Sequence, residues 1–239
     1  MGNQMSRICT ICARGGSKGV LGKNVRIMNG KPLIAHTIAQ AKESGLFDAI
    51  AVSSDSAEIL AIAEACGVNY LIRRPDELAT DSAAKLPVIQ HAVAEVERQR
   101  GEVFDTLVDL DATSPLRTVD DVRNAVALLE TTGAGNVITA MPARRSPYFN
   151  LVEVDAEGKV NLSKRPAQPF VRRQDAPACY DMNASIYVWR RDILFTSPSL
   201  FNDDTKLYVM PEERSIDIDS DLDFRFVEFL MTQPAQELE

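Results

Sequence analysis

Short apolar runs alternate with helical periodicities along this chain, and that alternation narrows its architecture more than any other feature. The runs at 7–13 (RICTICA), 48–53 (DAIAVS), 68–72 (VNYLI), 105–110 (DTLVDL) and 136–141 (NVITAM) suit strands buried on both faces. Between them Ile59, Ile62, Ala63 and Cys66 recur at the spacing of one helix face, as do Leu86, Ile89, Val93 and Val96, and Val122, Val126 and Leu129. Asp81 or Ser82 is placed to cap the second of these helices, with Pro87 tolerated in its first turn. Such a βαβαβ succession predicts an α/β fold with a mainly parallel sheet, helices on both faces and right-handed connections. Ligands then belong outside the carboxyl ends of the strands.

The alternation breaks after Met141. Residues 142–182 carry Pro142, Pro147, Pro166, Pro169 and Pro177, many basic side chains and a hairpin signal at Asp155-Ala156-Glu157-Gly158, which together read as an excursion suited to an arm or lid. Strand patterns resume at 183–189, 206–210 and 215–219, ahead of a terminal helix with Leu222, Phe226, Phe229 and Leu230 on one side. The whole chain, 1–239, is expected to form one domain with 142–182 inserted in it.

A formal net charge of −8 lacks the basic footprint of a nucleic-acid binder, so clustered Arg and Lys become informative about small anionic ligands. No uninterrupted apolar stretch reaches membrane-spanning length, and the first residues lack a secretory pattern; the expectation is a soluble, cytoplasmic protein with no membrane partner. Cys9, Cys12, Cys66 and Cys179 read as reduced thiols. Cys9 and Cys12 form a CxxC inside a strand, where three-residue spacing sends the side chains to opposite faces, against a shared metal.

The first strand runs into Ala13-Arg14-Gly15-Gly16-Ser17-Lys18-Gly19-Val20-Leu21-Gly22-Lys23-Asn24. Glycines let the backbone turn N–H groups toward an anion, and Arg14, Lys18 and Lys23 add positive charge, so the loop reads as a phosphate cradle or, failing that, a flexible basic turn. Five residues separate Gly16 from Gly22-Lys23 and Asn24 follows, which disfavours a P-loop; the GxGxxG fingerprint is not matched either. A second segment, Asp111-Ala112-Thr113-Ser114-Pro115-Leu116-Arg117, ends the fourth strand and suits a polar pocket, although Thr-Ser-Pro could simply start the next helix, with Asp120 and Asp121 in its first turn. In the third, Asp217 and Asp219 stand two apart on an expected strand, with both carboxylates on one face as a hard cation in a nucleotide site requires; Ser220 or Asp221 caps the last helix.

The segments ARGGSKGVLGKN, IRRPDELATDSA, DATSPLR and SIDIDSDLD, in this order, resemble the acylneuraminate cytidylyltransferase family over nearly the whole chain. The resemblance implies a Rossmann-like nucleotidyltransferase fold and a homodimer in which a protruding arm such as 142–182 reaches over the partner's site. It implies transfer of CMP from CTP to the anomeric hydroxyl of a nine-carbon 2-keto-3-deoxy sugar acid, with Mg²⁺ assisting and pyrophosphate leaving. Arg14, Gly15, Gly16, Ser17, Lys18, Lys23 and Asn24 would then hold the CTP phosphates and ribose, and Arg74 with the backbone around Ala83 the cytidine. Asp217 and Asp219 match the family's metal-binding carboxylates and, with Arg14 and Lys23, its catalytic groups. The proton acceptor stays open among Asp217, Asp111 and water on the metal.

The sugar side would comprise Asp111, Thr113, Ser114, Arg117, Arg172, Arg173, Asp181 and Asn183. Family members that use N-acetylneuraminate usually have Gln where Asp111 stands and Arg where Asp181 stands. Two carboxylates would repel a sugar acid unless its donors differ or Arg172 and Arg173 supply charge, so a legionaminate- or pseudaminate-type sugar is expected instead. The alternatives are a 3-deoxy-manno-octulosonate cytidylyltransferase and a non-catalytic nucleotide-binding protein of the same fold. His36 and His91 are expected to pack or face solvent, and Trp189 to lie in the core or an interface.

Overall fold

The computed structural model describes residues 5–16, 19–80, 82–168, 170–197 and 199–233. The strands are β1 (Arg7–Cys12), β2 (Ile27–Met28), β3 (Lys31–Pro32), β4 (Ala49–Ser54), β5 (Tyr70–Arg73), β6 (Thr106–Leu110), β7 (Asn136–Pro142), β8 (Val152–Val154), β9 (Val160–Leu162), β10 (Tyr180–Arg190) and β11 (Lys206–Val209). The helices are α1 (Leu33–Ser44), α2 (Ala57–Ala65), α3 (Lys85–Arg100), α4 (Val119–Thr132), α5 (Arg191–Thr196) and α6 (Asp221–Thr232).

Seven strands form the central sheet in the order β11-β7-β10-β6-β1-β4-β5, every neighbouring pair parallel except those made by β10, which runs against both β6 and β7. The mainly parallel α/β fold expected from the alternation is therefore present. From β1 the chain first builds outward through β4 and β5, then returns to add β6 on the other side of β1. The connections from β1 and β6 consequently leave in opposite directions, and a crevice opens at their carboxyl ends.

Two apolar layers cover the sheet. On one face Ile34 and Ile38 of α1, Ile59 of α2 and Val122, Val126 and Leu129 of α4 pack on Ile11, Val52 and Val108; on the other, Ile89, Val93 and Val96 of α3 and Leu194 of α5 pack on Ile8, Leu107 and Trp189. Cys9 belongs to the first layer and Cys12 touches the second, as strand alternation requires. A third, smaller cluster joins Val20 after the glycine loop, Met28, Leu33, Ile218, and Phe224 and Val227 of α6. It fastens the acidic segment to the loop.

Several local expectations change. Residues 215–219 form no strand; the Ile218 N–H bonds only the Thr113 carbonyl (3.1 Å), because no strand edge runs alongside. Ala84 is the N-cap of α3 and no side chain caps it, so Ser82 does not serve, while Asp81 lies outside the described residues. Thr-Ser-Pro starts no helix: Thr118 and Asp121 build a reciprocal capping box for α4, and Ser220 with Asp223 does so for α6. On α6 the buried side chains are Phe224 and Val227, whereas Leu222, Phe226 and Phe229 are exposed. Within 142–182, β8 and β9 form a two-stranded hairpin closed at Asp155, whose carbonyl accepts from Gly158 and whose carboxylate accepts from Lys159 N–H.

Candidate active site

Two adjoining cavities occupy the crevice at the carboxyl ends of β1 and β6. The first, about 300 Å³, is lined by Cys12, Ala13, Arg14, Gly19, Lys23, Asn24, Asp111, Ala112, Thr113, Asp217 and Asp219. The second, about 260 Å³, shares Cys12 and Arg14 and adds Arg74, Leu78, Thr80, Ala83, Lys85 and Val88. Larger clefts of about 440 and 480 Å³ lie at the base of the 142–182 excursion and at the amino-terminal edge of the sheet. Neither combines a glycine loop with a carboxylate pair, so the smaller, charged cavities are the chemical centre.

The glycine loop and the acidic segment interlock. Lys23 reaches across to donate to the Ile218 carbonyl and stands 3.5 Å from the Asp219 carboxylate. A Cβ on Gly19 would lie 2.0 Å from the Asp219 carbonyl oxygen, so only glycine allows that approach. Gly22 adopts φ +61 to turn the chain into Lys23. The Gly15 N–H, expected to face phosphate, instead donates to Asp55 (2.8 Å). Asn24 gives its amide N–H to the Arg14 carbonyl (3.1 Å), and its buried side-chain oxygen has no partner among the described residues, which suits a ligand hydroxyl better than a phosphate oxygen. Ser17 and Lys18 lie outside the described residues.

Across the cavity, Thr113 offers its hydroxyl to both Asp111 (2.8 Å) and Asp217. Burial, then the Asp111 charge, raises Asp217 to about 6. Asp217 carries no ion pair among the described residues. A half-sheltered carboxylate without a cation, followed two residues on by the exposed Asp219, is a donor set for a hard divalent ion that completes its shell with water and phosphate oxygens. Among the described residues no cluster of three or more metal-ligating side chains exists.

Asp111 does not stand alone. Lys85, from the first turn of α3, lies 2.8 Å from its Oδ2 and 3.5 Å from the buried Asp109, with its ammonium over the Tyr187 ring. Burial opposes the charge on each group, yet the pairing prevails: Lys85 is held well above the usual lysine range and Asp111 well below the usual carboxylate range. Lys85 therefore neutralises Asp111 from within the protein. No sequence motif singled out that residue, whose only signal is a lysine opening an otherwise apolar helix turn.

Five expected sugar contacts take other places. Arg117 is buried with every N–H directed at Gln40, Ser185, Thr37 and the Asp111 carbonyl, and burial lowers its pKa to about 10; it braces the cavity floor. Ser114 is fully buried behind the wall. Asn183 sits at a register shift of β10, beside Ala184 at φ +52, with its side chain turned inward to Thr139 and Ser215. Arg172 is exposed and paired with Asp175 (2.9 Å). Asp181, also exposed, accepts from the Arg144 N–H at 3.3 Å, and neither Asp181 nor Arg172 lines the two cavities. The Arg173 side chain lies outside the described part of the structure. Arg74 does line the second cavity, clamped to Ser53 through its carbonyl (2.9 Å) and hydroxyl (3.3 Å), beside Ala83.

Comparison with known proteins places the site in context. Residues 8–223 match the family model described as Cytidylyltransferase. A Post-translational flagellin modification protein B of Campylobacter coli is 49% identical over 226 residues, covering 95% of each chain. A CMP-N,N'-diacetyllegionaminic acid synthase of Campylobacter jejuni is 48% identical over 225 residues, covering 94% of each. Among solved structures, a CMP:2-keto-3-deoxy-manno-octonic acid synthetase complexed with CTP superposes with a TM-score of 0.69 at 18% identity, covering 95% of this chain and 98% of that one, a likeness of fold.

Proposed function

The chain belongs to the cytidylyltransferase family, and from that premise we propose that it transfers CMP from CTP to a nine-carbon sugar acid of the N,N'-diacetyllegionaminic type. It is a nucleotidyltransferase, and its products are a CMP-nonulosonate and pyrophosphate. The observation that carries the reading is the convergence of Arg14, Lys23 and the Asp217/Asp219 pair on one cavity that opens into a second beside Arg74 and Ala83. In the first, the Arg14–Lys23 side would take the triphosphate and the Asp111–Thr113 side the sugar; the second would take the pyrimidine nucleoside.

In the reaction the anomeric hydroxyl attacks the α-phosphorus in line, a C–O–P bond forms, and the bond to the bridging oxygen breaks as pyrophosphate departs. Arg14 and Lys23 offset charge growing on the phosphate oxygens. Asn24 offers its side-chain carbonyl oxygen to a hydroxyl of the nucleotide or sugar. Asp111, held so far below the usual range, is a poor proton acceptor, so the hydroxyl proton passes to Asp217 or to water in the cavity. Asp217 and Asp219 would hold Mg²⁺, which when bound would neutralise triphosphate charge and polarise the reacting phosphate.

The reading includes a homodimer formed through the 142–182 excursion, where Phe149, Val152, Val154 and Val160 are exposed apolar side chains that a partner could cover. It also includes a cytoplasmic location, where CTP is made; no helix among the described residues is long and apolar enough to cross a membrane. A 3-deoxy-manno-octulosonate cytidylyltransferase has only the fold likeness in its favour. Pyrophosphate release from CTP, measured against a panel of sugar acids with and without Mg²⁺, tests the proposal. Release should require a nonulosonate and the metal, and absence of turnover with every nonulosonate would remove it.

A further inference from the structure

Asp111 presents an anion to the cavity that must admit an acidic sugar, and Lys85 is what makes this tolerable. The ammonium has three N–H directions, and three neighbours surround it: Asp111 Oδ2 at 2.8 Å, Asp109 at 3.5 Å and the Tyr187 ring with its centroid at 4.5 Å. Of the three only Asp111 takes a hydrogen bond from the ammonium, and through that bond Lys85, which also lines the second cavity, fixes the orientation of the carboxylate. On Asp111, Oδ1 accepts the Thr113 N–H (3.1 Å) and the Thr113 hydroxyl (2.8 Å), and Oδ2 accepts from Lys85. A carboxylate offers about four acceptor positions, so about one remains for whatever enters the cavity.

We infer that the Lys85–Asp111 pair selects the acceptor sugar, with Lys85 as a positioning residue that fixes Asp111 as an acceptor-only group for an amide N–H on a second acylamino substituent. The inference rests on the proposed function and specifies how that site chooses among nonulosonates. An amide N–H cannot turn a lone pair toward the carboxylate, whereas a hydroxyl at the same place must be frozen in one rotamer to donate. A glutamine at position 111 would donate as well as accept and would discriminate less. The paired charges also sum to zero, so an incoming sugar carboxylate meets no net repulsion from the pair. The two residues come from different elements, the first turn of α3 and the end of β6, so their meeting is a product of the fold.

The test compares N,N'-diacetyllegionaminate with N-acetylneuraminate side by side at saturating CTP, with pyrophosphate release as readout, in the wild type and in Lys85→Met, Asp111→Asn and the double variant. The ratio of kcat/KM for the two sugars should favour the diacetylated one in the wild type and fall by about tenfold or more in each single variant. The double variant should lose little beyond the singles, because both remove one device. Nucleotide binding and partial loss of fold cancel in the ratio, and if Lys85→Met does not fold, the double variant, which removes both charges together, carries the comparison. Rates that drop equally for both sugars would overturn the inference and leave the pair a structural ion pair. A wild type that releases pyrophosphate with neither sugar would instead refute the proposed function, and the inference would fall with it.

Discussion

The ammonium of Lys23 lies 3.5 Å from the carboxylate of Asp219, although 195 residues separate Lys23 from the neighbouring Ile218 carbonyl to which it also donates. The pair closes the rim between a loop that leaves the first strand and a segment that precedes the last helix. Ile218, buried among Val20, Met28 and Phe224, is the apolar pin that keeps the two parts together.

Lys23 is largely sheltered, and its anionic partner in the bound state would be triphosphate, so its loss should appear in catalysis before stability. Lys23→Met should lower kcat/KM for CTP by on the order of a hundredfold or more, the scale of losing one charged stabiliser of a transferring phosphoryl group. Steady-state rates at varied CTP check this, and a change of less than about threefold would take Lys23 out of the phosphate site.

Gly19→Ala forces a Cβ to within 2.0 Å of the Asp219 carbonyl, and backbone rather than a flexible side chain must give way. The melting temperature should drop by an amount corresponding to about 1–3 kcal/mol, while Gly16→Ala, with open space around the new methyl, should melt like the wild type. Equal melting of both variants would show that the loop does not press on the acidic segment.

What could be read from the residues follows from what hydrophobicity encodes. Buried strands and one-sided helices leave periodic apolar signatures, so the parallel core, the crevice beside β1 and the hairpin at Asp155-Gly158 were all legible. The alternation Ile216-Asp217-Ile218-Asp219 imitates a strand equally well, but a strand also needs a neighbouring edge, and pairing is a property of the whole sheet. Arg117 looked like a ligand for an acidic sugar because a sequence shows charge and conceals burial. Lys85 escaped notice for the opposite reason: its partner Asp111 lies 26 residues away, and only the packing of α3 against the sheet brings them together.

Arg117 supplies a direct check on that distinction. Its guanidinium is buried and fully bonded to Gln40, Thr37, Ser185 and the Asp111 carbonyl, so Arg117→Met should strand several acceptors and cost on the order of 3 kcal/mol. The urea midpoint should fall accordingly. A variant that unfolds at the wild-type midpoint yet binds sugar poorly would return Arg117 to the substrate side.

If Asp217 holds the proposed metal, its titration ties that binding to pH with a definite sign. Its folded pKa, about 6, lies above the ordinary carboxylate value of 3.8, so in the metal-free protein the folded state holds the extra proton. That contribution to stability is full below the unfolded pKa and disappears as pH rises through about 6, when a sheltered charge must form beside Asp111. Mg²⁺ held at Asp217 as proposed would compete with the same proton, so its stabilising effect should be small near pH 5 and grow through the same interval as the carboxylate ionises. Asp217→Asn removes the titrating group: the difference in melting temperature between variant and wild type, both metal-free, should shift in the variant's favour from about pH 5 to pH 7, and the Mg²⁺ increment should nearly vanish. Turnover should be crippled at every pH in that variant. If Mg²⁺ raises the melting temperature of Asp217→Asn as much as that of the wild type, the ion does not bind at this carboxylate.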